Sequence, residues 1–233
     1  YNQYQEAHDV SSKTLSIAKT LNNKSWIGYS LHWHGNISES QGDANEALNY
    51  YMQAIELNTG KPYDGWLAKI IGWIYYEIGE YNKALEYYNR ELKINEELDD
   101  KHSISINFTN MGLVYFQQAV YNKAVENLDK SATMQMELDS TITLETLSHL
   151  FLSKKILGKE YNVSEIHTLI KEEDEIEDYI NFALFKLLED TLYLETAYNQ
   201  VQEKADNLEP DVAAKFLSYP IPKAIVEEWE KVK

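Results

Sequence analysis

The chain has 233 residues, 44% hydrophobic and 25% charged, which supplies material for a continuous core and excludes disorder along most of its length. Its 21 basic and 38 acidic residues leave a net charge of −17, which repels phosphate backbones and anionic headgroups and excludes nucleic acid and membrane surfaces as partners. The absence of cysteine removes disulfides and thiolate metal sites, and no run of about 18 apolar residues could span a bilayer.

Only nine glycines and four prolines punctuate the chain, so long stretches favour helix. Residues 1–22 read as half a helical hairpin, because Tyr4-Gln-Glu-Ala7 places its alanine as three later units do. Those units span about residues 28–60, 65–98 and 105–138. The first carries Gly35, Gly42, Ala47, Tyr51 and Ala54. The second carries Gly72, Gly79, Tyr81, Ala84, Tyr88 and Leu92. The third carries Gly112, Ala119, Tyr121, Ala124, Leu128 and Ala132. The alanines at 47, 84 and 124 lie 37 and 40 residues apart.

Each unit has a physical logic. A mid-helix glycine costs about 1 kcal/mol relative to alanine, so Gly35, Gly72 and Gly112 predict a close approach of two helices. Gly42 and Gly79 fall where the first helix stops and a left-handed residue is needed; Ala119 replaces them in the third unit. Small residues at Ala47, Ala84 and Ala124 let the second helix nest, while Tyr51, Tyr88 and Leu128 fill the space one turn later. Such a hairpin cannot bury its apolar face alone and stacks on neighbours.

After residue 140 the pattern decays. Leu144–Leu157, ended by Gly158, reads as another first helix and Val163–Ile170 as a shortened partner. The acidic run Glu172–Asp178 reads as a solvated loop and helix start. Tyr179–Glu189 and Leu192–Leu208 form a further pair, Pro210 opens a short helix ending near Ser218, and Pro220 starts the last. There Ile225, Trp229 and Val232 make one apolar stripe, so residues 141–233 read as degenerate repeats and a cap continuous with the array.

These residues resemble the tetratricopeptide repeat, most clearly over residues 1–135. Ile71-Gly72, Tyr75, Gly79, Tyr81, Ala84 and Tyr88 occupy its signature places. His34 and Ser38 depart from it where leucine and an aromatic are usual, and no unit has the terminal proline. The period exceeds the usual length of about 34 residues, as in the extended repeats of kinesin light chains and bacterial signalling proteins. Longer second helices and inter-repeat loops such as Asn95–His102 are expected. The resemblance implies an all-α, right-handed superhelix of stacked antiparallel hairpins whose first helices line a concave face. The segment from Phe216 to Trp229 resembles the ends of repeat regions attached to bacterial nucleotide cyclases and signalling ATPases.

On that face, spacings of three and four group Tyr29, His32, Asn36 and Glu39 in unit one. They group Trp66, Lys69, Trp73 and Tyr76 in unit two, and Ile106, Thr109, Leu113 and Phe116 in unit three. The expectation is a peptide-binding groove with an aromatic centre, aromatics being frequent binding hot spots; the alternative is that these rings are core. His32 and Ile106 stand where the family's carboxylate clamp needs lysines, which argues against a chaperone-tail clamp.

Chemistry finds little support. His32 and His34, two apart on a helix, cannot share an ion, and His8, His102, His149 and His167 are isolated. No phosphate loop, G-x-S-x-G or H-E-x-x-H is present, and Arg90 is the only arginine. No enzyme activity, metal or cofactor is expected. The chain reads as a cytoplasmic scaffold that binds a protein or peptide. The alternative is a regulatory or sensor segment of a larger signalling protein with a kinase, cyclase or ATPase part, since residues 1–22 look like half a hairpin. The chain begins at Tyr1, not at a methionine, which weakens the leader test.

Overall fold

The structure is a computed structural model that describes residues 2–57, 60–138 and 141–233, with the side chains of residues 2–5 and 61 set aside. Tyr4 of the half repeat and the end of the first unit therefore fall outside the described side chains and residues. Thirteen α-helices and no strands make up the described residues.

Helix α1 (Asn2–Thr20) leads into three hairpins, α2 (Lys24–Ser40) with α3 (Ala44–Glu56), α4 (Lys61–Glu77) with α5 (Tyr81–Glu97), and α6 (Lys101–Gln117) with α7 (Tyr121–Glu137). Short side chains cap several starts: Asn23, Asp43 and Asp100 accept from the backbone N–H three residues on, satisfying otherwise orphaned donors. The predicted loop at Asn95–His102 is shorter than expected. Helix α5 runs to Glu97 and α6 starts at Lys101 behind the Asp100 cap, so the long period comes from longer helices.

Gly42 and Gly79 end α2 and α4 at φ +77° and +85°, and Ala119 ends α6 at φ +59°. Alanine pays a steric penalty there that glycine avoids. Ala119→Gly is therefore expected to raise stability by about 1 kcal/mol, read from the urea midpoint at unchanged slope.

Within each hairpin the predicted close approach is present. A Cβ on Gly35 or Gly72 would meet the Tyr51 or Tyr88 ring at 2.5 or 2.7 Å, and one on Gly112 would meet Leu128 Cγ at 2.6 Å. Tyr51, Tyr88 and Leu128 are fully buried, so each large side chain occupies the space its glycine vacates.

Beyond these, α8 (Leu144–Ile156) packs on α7, followed by short α9 (Ser164–Glu172). Next come α10 (Asp178–Leu188) with α11 (Thr191–Asp206), then α12 (Pro210–Leu217) and α13 (Pro220–Val232). The acidic run is only partly solvated, since Asp178 is buried and pairs with Lys204 at 3.0 Å. The stripe on α13 splits: Ile225 is fully buried, Trp229 stacks on Tyr198 at 5.3 Å, and Val232 is exposed.

The superhelix brings its C-terminal end back across the first two hairpins. Val212 and Leu208 press on the Gly42 turn and Pro220 on the Gly79 turn, while Tyr179 of α10 meets Trp73 at 5.6 Å. Among the described residues no helix is long and apolar enough to cross a membrane.

Candidate binding groove

Helices α2 and α4 each turn one face toward the side that the C-terminal helices cross. At one end of it Tyr29 and Trp66 are 45% and 37% exposed, and their rings flank Tyr63 at 4.9 and 5.8 Å. His32 lies beside them, edge-on to Trp66 at 4.5 Å. Burial lowers its pKa, so the imidazole is neutral at pH 7 and serves as an aromatic spacer. One turn on, the Tyr51 hydroxyl is within 2.6 Å of Asn36 Oδ1 and 2.7 Å of Glu39 Oε2 and holds both in place.

The same face of α4 continues through half-buried Lys69 to Trp73, which lies 5.2 Å from Tyr76 and 5.6 Å from Tyr179. Tyr76 is only 1% exposed and its hydroxyl accepts from Gln117. Unit three differs from the expectation. Thr109 and Leu113 are buried, Thr109 is locked by hydroxyl bonds to Ser131 and Thr146 at 2.7 and 2.8 Å, and Phe116 packs edge-on against His149. Helix α8 covers that stretch, so Thr109, Leu113 and Phe116 form no open surface with the residues of units one and two.

A cavity of about 480 Å³ lies between the α2–α4 face and the C-terminal helices. Trp73, Tyr179, Phe216 and Tyr219 wall it, and Glu39, Glu77 and Asp178 line it with Lys204. Lys204 is engaged by Asp178 and by Glu177 at 3.3 Å. Glu77 has an exposed edge yet is hemmed by the cavity walls, and this poor solvation, then the Glu39 charge, pushes its carboxyl up to about 7. The cavity is thus aromatic and electronegative, suited to an apolar or basic side chain and hostile to an acidic one.

Sequence reasoning missed the C-terminal contribution, because no spacing links Tyr179, Lys204, Phe216 or Tyr219 to Trp73.

Residues 26–97 match the family model for the tetratricopeptide repeat. Residues 26–97 are tetratricopeptide repeats. Tetratricopeptide arrays are protein-interaction scaffolds, and the stacked hairpins described above are this array. The Photosystem I assembly protein Ycf3 of Rippkaea orientalis is 30% identical over 106 residues, 40% of this chain and 58% of that protein. The chain thus spans a little over half the length of that relative.

Among solved structures, the apo form of RapI superposes with a TM-score of 0.70 at 16% identity, over 96% of this chain and 91% of that one. A Rap protein complexed with Competence and Sporulation Factor gives 0.57 at 16% identity, over 99% and 73%. The signal transduction ATPase with a tetratricopeptide repeat sensor from Pyrococcus horikoshii gives 0.63 at 17% identity, over 99% of this chain and 36% of that one. These likenesses are of fold.

Proposed function

We propose that the array binds a segment of another protein along the α2–α4 face, anchored on Tyr29 and Trp66 and entering the cavity beside Trp73. The observation that carries this reading is the cavity itself: aromatic walls, three lining carboxylates against one engaged lysine, and open access. Tyr and Trp bury large areas at small entropic cost, and the carboxylates favour a lysine or arginine in the incoming segment. A Rap protein complexed with Competence and Sporulation Factor shares the fold, which supports a ligand-holding role.

The test is selection from a displayed random peptide library, followed by calorimetric titration of the enriched peptides. The expected peptides carry aromatic and basic residues, and Trp66→Ala weakens them roughly 30-fold, the loss of one hot spot. Equal binding by Trp66→Ala, or enrichment of acidic peptides, would sink the proposal.

A second reading, that the array is the sensor part of a longer signalling chain, is favoured by the likeness, along 99% of this chain and 36% of that one, to a signal transduction ATPase with a tetratricopeptide repeat sensor. Sequencing the surrounding coding region tests it: a flanking kinase, cyclase or ATPase motif supports it, and a free-standing reading frame refutes it.

A further inference from the structure

The carboxylates at the cavity beside Trp73 fall into two groups. On the C-terminal side Asp178 and neighbouring Glu177 share Lys204, at 3.0 and 3.3 Å. On the opposite wall Glu39 of α2 and Glu77 of α4 have no ion-pair partner among the described residues. Both are nonetheless held in place. The Tyr51 hydroxyl donates to Glu39 Oε2 at 2.7 Å, and the Trp73 side chain donates to Glu77 one turn further along α4. Poor solvation first, and the Glu39 charge second, hold the Glu77 carboxyl above its ordinary range, so the two carboxylates feel each other. One cation between them relieves that repulsion.

We infer that this wall is a socket for the guanidinium of an arginine side chain in the bound segment, forked on Glu39 and Glu77 and lying against the aromatic walls. The inference rests on the α2–α4 groove reading for the source of the arginine. Shape and hydration favour guanidinium over ammonium. A guanidinium is planar, carries donors on several edges and sheds water more easily, so it can serve two carboxylates while it stacks on Trp73 or Tyr179. An ammonium is compact and strongly hydrated. The lysine at the cavity shows this, because Lys204 keeps its side chain 48% exposed while it binds Asp178.

The probe is Nα-acetyl-arginine amide, with the lysine and citrulline amides beside it, since citrulline keeps the shape of arginine without its charge. Occupancy is read from the indole N–H resonance of Trp73 in the intact chain, identified as the signal missing from Trp73→Phe. The arginine amide is expected to shift Trp73 and to bind about tenfold more tightly than the lysine amide and about 30-fold more tightly than the citrulline amide. Glu39→Gln combined with Glu77→Gln keeps the bonds from Tyr51 and Trp73, because the amide oxygens still accept, and it removes the preference among the three amides.

Trp66 lies outside the cavity, so Trp66→Ala leaves the arginine amide unaffected while it weakens the selected peptides. Groove and socket can therefore fail separately: peptides that need Trp66 but bind equally with arginine or citrulline keep the groove and remove the socket. No Trp73 shift, equal affinity for the three amides, or a preference that survives the double substitution would each overturn the inference. So would tighter binding of agmatine, which carries the guanidinium without peptide groups and would assign the socket to a free guanidine compound.

Discussion

Gly72→Ala is expected to lower stability by about 2 kcal/mol in the native background and to raise it by about 1 kcal/mol when Tyr88 is also alanine. The sign reversal follows from two opposing terms. Alanine is the better helix former by about 1 kcal/mol, and α4 is helical on both sides of residue 72. Against this, the new methyl would stand 2.7 Å from Tyr88 Cε1 and 2.8 Å from Cδ1. Tyr88 is wholly buried, its backbone carbonyl accepts from Asn107, and its ring has nowhere to retreat, so overpacking costs about 3 kcal/mol. Removing the ring removes that cost and leaves the propensity gain. Urea unfolding of the two single variants and the double variant measures this as a coupling of about 3 kcal/mol. The same sign of effect in both backgrounds would show that Gly72 is present for some reason other than the Tyr88 contact.

Between pH 4.5 and 7 the array is expected to lose about 3 kcal/mol of stability through Glu91 alone. Glu91 is 3% exposed on α5, and burial pushes its carboxyl from 4.5 up to about 7, while the Asn107 hydrogen bond at 2.7 Å and the Lys69 charge pull the other way. The folded chain therefore holds a proton that the unfolded chain has already released across this window. Stability from this group is complete below 4.5 and is lost as pH rises through about 7. Glu91→Gln removes the titration, and its amide can donate to Asn107 Oδ1, which has no partner. The stability difference between Glu91→Gln and the native chain should thus move by about 3 kcal/mol in favour of glutamine between pH 4 and pH 8. A difference independent of pH would mean that water reaches the carboxylate.

The hairpins were legible in the residues because their contacts are local. Gly35 with Tyr51, Gly72 with Tyr88 and Gly112 with Leu128 are close in sequence, so the repeat itself records who packs against whom. The candidate site was legible only in part. Spacings of three and four placed Tyr29 beside His32 and Trp66 beside Lys69 and Trp73, since position on a helix face depends on the helical period alone. Whether such a face is open depends on what lies over it. Thr109 and Leu113 have the same spacing as Lys69 and Trp73, yet α8 seals the former pair, while the latter border a cavity or lie half-buried.

By itself the sequence determined an all-helical, repetitive, strongly acidic chain whose hairpins close through glycine and aromatic pairs, because those choices are governed by propensity and neighbouring contacts. Only the tertiary structure decided that α10 to α13 cross the first two hairpins and wall a cavity with Trp73. Those arrangements arise from small rotations accumulated from hairpin to hairpin. A sum of that kind leaves no periodic mark on any one stretch of residues.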